Sequence, residues 1–291
     1  MLPLSLVDFG INRIRLEDLP APAQLMRRVD RKYRIGADHI GELLRLIEPH
    51  YSLVQTGVHD EAVYMNRYWD GRDNPFFHAH RVRKPRRFKF RQRTYAADGR
   101  SFWELKERQA TGYTRKMRLE TEMGNDHKGA QEALSRLWNR TGFDPPCGIH
   151  PKLDIHYKRL TFVHANGHER LTLDYDLRLS TPSPIDGTNA SHSSPATAIQ
   201  STGSTCPEHK WLCSHGLYIL ELKQNRPGPS VLDTLRRARS LQAISFSKYY
   251  IGSLLWQAHE RPHQPARPLP TKLGYVRDWH MHPYNNPTHI I

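Results

Sequence analysis

Cysteine is scarce in this chain, with 3 residues among 291 at Cys147, Cys206 and Cys213. So few thiols in so long a chain exclude a disulfide framework and fit a reducing compartment. Cys206, His209, Cys213 and His215 lie near one another and are ligand types that zinc prefers, but their spacing matches no common zinc motif. Long apolar runs are missing as well. The longest, such as Tyr249 to Trp256, is too short to cross a bilayer, and no basic segment followed by an apolar one opens the chain. The expectation is a cytoplasmic protein with no membrane span. Acidic residues are in deficit, 29 Asp+Glu against 43 Lys+Arg, which leaves a formal charge of +14. That excess favours an anionic partner, and nucleic acid, an acidic membrane and polyphosphate all qualify. Hydrophobic residues make up only 37%, yet they fall in periodic blocks, which argues against general disorder.

The length allows one well-buried core, so residues 1–258 are expected to form a single domain. Within it, residues 180–210 are rich in Ser, Thr, Pro, Gly and Asn and are expected to be a disordered loop. Residues 259–291 turn rich in Pro and His and read as an irregular tail. Three helices are predicted. Ala37 to Pro49 carries Ile40, Leu43, Leu44 and Ile47 at helical spacing, and Lys128 to Arg140 carries Ala133, Leu134, Leu137 and Trp138 before a stop at Gly142. The third, Ser230 to Trp256, holds Leu232, Leu235, Leu241, Ile244 and Ile251.

Strands supply the surface these helices would cover. Arg87 to Tyr95 alternates Lys89, Arg91 and Arg93 with Phe88, Phe90 and Gln92, the period of two that a strand requires. After a turn at Asp98-Gly99, Phe102, Glu104, Lys106 and Arg108 alternate with Trp103, Leu105 and Glu107. Lys116, Arg118, Glu120 and Glu122 then alternate with Met117, Leu119 and Thr121. Leu153 to Val163 and Arg170 to Leu177 flank Asn166-Gly167, a strong hairpin signal. A last strand, Leu217 to Lys223, alternates Ile219, Glu221 and Lys223 with Tyr218, Leu220 and Leu222.

Charge on one face of one strand is ordinary solvation. Here most of the strands carry Lys or Arg at alternate positions while their other faces are bulky and apolar. Helices covering the apolar faces would leave the charged faces looking at one another, and a closed barrel with a water-filled, charged lumen satisfies that geometry. The predicted fold is therefore α+β, an antiparallel closed β-barrel with helices outside. A row of arginine forks and lysine point charges suits a phosphate chain, and a few carboxylates among them suit a divalent metal.

Arg28-Val-Asp-Arg-Lys-Tyr-Arg34, Tyr68-Trp-Asp70, Lys89-Phe-Arg-Gln-Arg-Thr-Tyr95, Glu104-Leu-Lys106, Lys116-Met-Arg118, Tyr157-Lys-Arg159, Arg170-Leu-Thr-Leu-Asp174, Leu220-Glu-Leu-Lys223 and Ser247-Lys-Tyr249 follow one another in a recognisable order. In this the chain resembles the VTC domain, the polyphosphate polymerase domain of the vacuolar transporter chaperone complex, within the CYTH-like triphosphate tunnel superfamily. Each motif is weak alone, and together they span roughly residues 28–252. The resemblance implies a tunnel that binds ATP with a divalent metal, Mn2+ or Mg2+, and transfers the terminal phosphate to inorganic polyphosphate. It implies Lys32, Arg91, Arg93, Lys106, Lys116, Arg159 and Lys248 as phosphate contacts, Lys89, Arg118 and Lys223 as further contacts, and Glu221 as the metal carboxylate. Glu104 and Asp174 assist the metal or pair with cations, and pairing is the preferred reading.

The chain departs from the family at Trp69, where Phe is usual, and at Asp30, where tunnel phosphohydrolases often carry Glu; Asp30 reads as a metal ligand or a structural cap. Regulation and translocation, if they occur, would need other proteins, and a membrane protein is one candidate partner. The same tunnel would also suit a triphosphatase or polyphosphate hydrolase, or a module that binds polyphosphate without chemistry. Nucleic acid is disfavoured because Phe88, Phe90 and Trp103 lie opposite the charges, not interleaved with them.

Overall fold

Charge alternation becomes strand register in the protein, here a computed structural model that describes residue 6 and residues 9–19, 29–121, 126–182, 210–214, 216–260 and 279–283. Its elements in chain order are β1 (Arg13–Arg15), β2 (Val29–Ile35), α1 (Ile40–Ile47), β3 (Tyr51–Gln55), β4 (Ala62–Asp70), α2 (Pro75–Arg81), β5 (Arg87–Tyr95), β6 (Ser101–Arg108) and β7 (Thr114–Glu120), followed by α3 (His127–Trp138), β8 (His150–His164), β9 (Glu169–Ser180), β10 (Lys210–Ser214), β11 (Tyr218–Gln224), α4 (Leu232–Ala238), α5 (Lys248–Glu260) and β12 (Trp279–Pro283). The strands form one sheet, with β7, β6, β5, β4, β8 and β9 as consecutive antiparallel neighbours. From β9 the path continues through β11 to β2.

The sheet curls into an open half-barrel rather than the closed barrel expected. Among the described strands β7 pairs only with β6 and β2 only with β11, and the other side of β2 carries a single bridge, Tyr33 to Ala243, so no strand joins the two ends of the sheet. Both edges carry cations on the same face, Lys32 on β2 and Lys116 and Arg118 on β7. Joining them would set like charges side by side, which is destabilising, and charged edges are a usual guard against edge pairing.

Two apolar clusters cover the convex side. Phe90, Trp103, Leu105 and Met117 are buried with Phe76 of α2 and Ala133, Leu134, Leu137 and Trp138 of α3. Tyr33, Ile35, Leu160, Phe162, Leu171, Leu173, Leu220 and Leu222 are buried with Leu43, Leu44 and Ile47 of α1 and Leu232 and Leu235 of α4.

The predicted third helix is two helices. Ser240 takes a left-handed conformation, φ 50°, and the Ile244 N–H donates to the Lys32 carbonyl across to β2, 2.8 Å, so the chain between α4 and α5 is extended. Nor does α5 lie outside. A Cβ at Gly252 would stand 2.8 Å from Leu153 and 3.1 Å from Leu179, and Leu153 sits opposite Tyr68 on the concave face. Helix α5 therefore caps one end of the lumen. It can dock there because Asp176, φ 49°, and a register shift near His156 swap the faces of β9, turning Leu177 and Leu179 inward beyond Asp174.

The region read as an irregular tail begins later than expected, since α5 runs to Glu260, and it contains β12, which pairs antiparallel with β10. The region read as a disordered loop overlaps regular structure at both margins: Ser180 ends β9 and Lys210 begins β10, while residues 183–209 lie outside those described. Of the residues weighed for zinc, Cys206, His209 and His215 are likewise outside, and Cys213 is buried in β10.

Candidate active site

Cross-strand register fixes the concave face. Lys89 on β5 stands opposite Lys106 on β6, which stands opposite Lys116 on β7. The next row, two residues along, is Tyr68, Arg91, Glu104 and Arg118, and the one after that is Asn66, Arg93, Phe102 and Glu120. Facing residues of antiparallel strands share a side of the sheet, so these rows line one wall. Phe88, Phe90 and Trp103 point the other way. Phe88 lies 4.5 Å from Trp138, and Phe90 stacks on Trp103 at 5.1 Å.

Glu104 is fully buried and bridges two cations. Arg91 donates to its Oε2 from Nε at 2.9 Å and from the terminal nitrogen at 2.6 Å, and Lys116 lies 2.5 Å from Oε1. Burial would raise the Glu104 pKa, but Arg91, Arg93, Lys116 and Lys106 outweigh it and hold the carboxyl well below its usual range. Arg91 also donates to the Tyr68 hydroxyl at 2.8 Å. Arg93 donates to Asn66 and to the Tyr157 hydroxyl, each at 3.0 Å, with Tyr64 beneath its guanidinium at 4.6 Å. Arg118 lies 3.4 Å above the Phe102 ring.

Lys89 and Lys106 differ from these neighbours, because neither has a carboxylate partner among the described residues. Burial and the nearby Lys32, Arg91, Arg87 and Lys248 push Lys89 down to about 7. Burial likewise lowers Lys106 well below the ordinary lysine value, with Arg91, Arg93 and Lys116 adding to it and Glu104 opposing it.

The opposite wall carries two more bridged carboxylates. Asp174 on β9 is clamped by Arg159 through 2.5 and 2.8 Å bonds and also accepts from Lys248, the first residue of α5. Burial opposes ionisation there, but Arg159 and Lys248 hold the carboxyl below its usual range. The Lys248 ammonium sits 4.4 Å over the Tyr157 ring. Glu221 on β11 lies 2.9 Å from Lys223 and 3.3 Å from Lys32. Lys158, the alternative to Arg159, pairs instead with Glu61 at 2.7 Å. Asp30 is exposed, opposite Lys223.

The structure thus gathers Lys89, Arg91, Arg93, Lys106, Lys116 and Arg118 on one wall, Lys32, Arg159, Glu221 and Lys223 on the other, and Lys248 at the capping helix. The sequence reading gave no role to Asn66 and Tyr64, which bond or support Arg93. Their signal was the repeat of Tyr64, Asn66 and Tyr68 at alternate positions. His80 on α2 was also passed over. It stacks toward Tyr250 of α5 at 6.2 Å, and burial followed by Lys89 and Arg87 lowers it to about 3. His156 is packed against Trp211 at 4.7 Å.

No group of three or more His, Cys, Asp or Glu converges among the described residues to cage a cation. A divalent ion would therefore have to bring oxygen ligands on phosphate and take one carboxylate from the protein, and Glu221, the group the sequence reading chose, bridges Lys32 and Lys223.

A search of curated proteins returned no match. Among solved structures, the chain is similar to a putative adenylyl cyclase from Hippeastrum described as having a dominant triphosphatase activity, at 12% identity and TM-score 0.43 over 78% of this chain and 95% of that one. A putative adenylate cyclase from Vibrio parahaemolyticus gives 12% identity and TM-score 0.39 over 76% and 95%. A protein from Pyrococcus horikoshii gives 12% identity and TM-score 0.41 over 80% and 99%. The model of the VTC domain matches residues 27–257, which takes in every strand of the two walls described above, and the chain belongs to the VTC domain family.

Proposed function

We propose that this protein is a polyphosphate polymerase that transfers the terminal phosphate of ATP to a growing inorganic polyphosphate chain. The observation that carries this reading is the row Lys89, Lys106 and Lys116, in which like charges stand directly opposite and the first two have no carboxylate partner. Such a row is unfavourable when empty and becomes favourable when an anion lies across it.

In this reading Lys106, Lys116, Arg91 and Arg93 hold the phosphates of the donor, with Lys89 and Arg118 beside them. Arg159, Lys248, Lys32 and Lys223 face them across the lumen. An oxygen of the chain end attacks the terminal phosphorus of ATP, the bond to the bridging oxygen breaks, and ADP leaves. Catalysis is then positioning and charge stabilisation, since the chain end is already a nucleophile. A divalent metal ion held by Glu221 and the phosphates would neutralise developing charge on the phosphate oxygens. Among the wall groups, the carboxylates are not the candidates for a general base in hydrolysis; Lys89, lowered to about 7, is. Glu104, Asp174 and Glu221 each bridge two cations and are held below the usual carboxylate range, which suits none of them to take a proton from water near neutral pH.

Incubation with ATP and manganese tests the assignment. Accumulation of ADP together with an acid-stable ladder on a gel is the expected result. Orthophosphate from tripolyphosphate, with no ladder from ATP, would assign hydrolysis instead.

A further inference from the structure

The basic ladder on the concave face continues past Lys89. Arg87 is the next residue on the same face of β5, and directly opposite it on β6 stands Arg108. Arg93, Arg91, Lys89 and Arg87 therefore run along one strand for about 20 Å at the strand rise. Three linked phosphates do not reach that far. The nearest acid on β6, Glu107, is already taken by Arg86 and Arg115. No carboxylate pairs with Arg83, Lys84, Arg87 or Arg108 among the described residues. Burial and the neighbouring Arg108 and Arg83 lower the Arg87 pKa, as expected of cations crowded without counterions.

Arg83 supplies an independent observation. Helix α2 ends with the Lys84 N–H donating to the Ala79 carbonyl at 2.9 Å and the Arg83 N–H to the His80 carbonyl at 3.2 Å. This paired closure normally places glycine in the left-handed position. Here that position is Arg83, with φ 54°, so the chain carries a long cationic side chain where the backbone would be easier without one.

We propose that Arg83, Arg87 and Arg108 form an exit track for a phosphate chain longer than a triphosphate, continuing the lumen row onto the surface beside α2. This rests on reading the concave face as a phosphate site. A chain end held in the lumen would lie across Lys89, Lys106 and Lys116, and its older phosphates would pass over Arg87 and Arg108 toward Arg83.

The test is calorimetric titration of wild type, Arg83→Gly, and the triple variant Arg83→Gly/Arg87→Gln/Arg108→Gln with tripolyphosphate, long-chain polyphosphate and oligodeoxythymidylate. The triple variant is expected to bind the long chain about tenfold more weakly, with a shallower salt dependence, and tripolyphosphate within about threefold of wild type. Arg83→Gly, which removes the strained side chain and cannot harm the cap, should lose part of the long-chain affinity while melting no lower than wild type. Equal losses for both phosphate ligands, or none for the long chain, would overturn the track. If wild type binds oligodeoxythymidylate more tightly than polyphosphate and the variant loses that binding, the surface is a nucleic-acid site and the proposal fails. Failure of wild type to bind tripolyphosphate would instead sink the reading of the lumen.

Discussion

Lys248 reaches Asp174 from the first turn of α5 and shares that carboxylate with Arg159. A solvated lysine at a helix start would do neither, and the Lys248 side chain is only 13% exposed. Arg159 still neutralises Asp174 when Lys248 is removed, and fewer cations then crowd the empty lumen. Lys248→Ala should therefore change stability by no more than about 1 kcal/mol. If the ammonium stabilises the transferring phosphate, the barrier should rise by about 2 to 4 kcal/mol. Melting curves beside ATP turnover separate these effects, and unchanged turnover at unchanged stability would remove Lys248 from the mechanism.

Glu221→Gln should abolish metal-dependent turnover, because it deletes an anionic oxygen while keeping the volume. It also leaves Lys32 and Lys223 without the carboxylate between them, so the melting temperature of the empty protein should fall. Tripolyphosphate should restore it, since bound anion replaces the lost charge; a hundredfold excess over Kd contributes about 2.7 kcal/mol. A manganese titration giving wild-type rates would refute the metal role.

Lys89 makes ligand binding proton-linked. In the empty lumen its pKa is pushed down to about 7, and an anion across the row will raise it. Between these two values the complex binds more protons than the free protein, so tripolyphosphate affinity should fall as pH rises above 7. Titration at pH 8 in buffers of different ionisation enthalpy should show proton uptake, reduced in Lys89→Met. The fold follows the opposite trend. The unfolded lysine titrates near 10.4, so the unfolded chain holds more protons between about 7 and 10, and the Lys89 contribution makes the empty protein more stable as pH rises through that window. Affinity that does not change with pH would remove Lys89 from the site.

How much of this could be read beforehand depended on how cleanly each strand separated its faces. β5, β6 and β7 alternate cation with aromatic or aliphatic residue, and their register followed from the sequence. β4 was not recognised as a strand, since its concave residues Tyr64, Asn66 and Tyr68 are uncharged and its convex face includes Arg67, which pairs with Asp154 at 2.8 Å. Helix α2 escaped because it is short and two of its buried residues, Phe76 and Phe77, are adjacent and not spaced by a turn. The break between α4 and α5 was hidden because Leu241 and Ile244 continue the helical spacing across it. Pairing partners such as Lys248 with Asp174 are 74 residues apart, a distance over which periodicity carries no information.

Glu104 is the counterion that lets Arg91 and Lys116 coexist in an empty lumen. Glu104→Gln should cost roughly 3 to 5 kcal/mol, the penalty for leaving a buried charge uncompensated, discounted for Lys116, whose side chain is 39% exposed. Acid should act in the same direction. The folded pKa of Glu104 is depressed, so the unfolded chain takes up the proton first. The stability it contributes is present above about pH 4 and is lost as pH falls below that. Chemical denaturation at pH 7 and pH 3.5 checks both statements, and a variant as stable as wild type at pH 7 would show that Glu104 balances nothing.

The unjoined seam between β2 and β7 changes how a polymer can be admitted. A sealed pipe takes a string only by its end, so capture slows as strings lengthen and ends grow rare. A gutter takes a string broadside, at any point along it. With α5 over one end and no strand joining β2 to β7 along the side, a polymer bound as proposed would have its middle segments admitted as readily as its termini, without being pulled through.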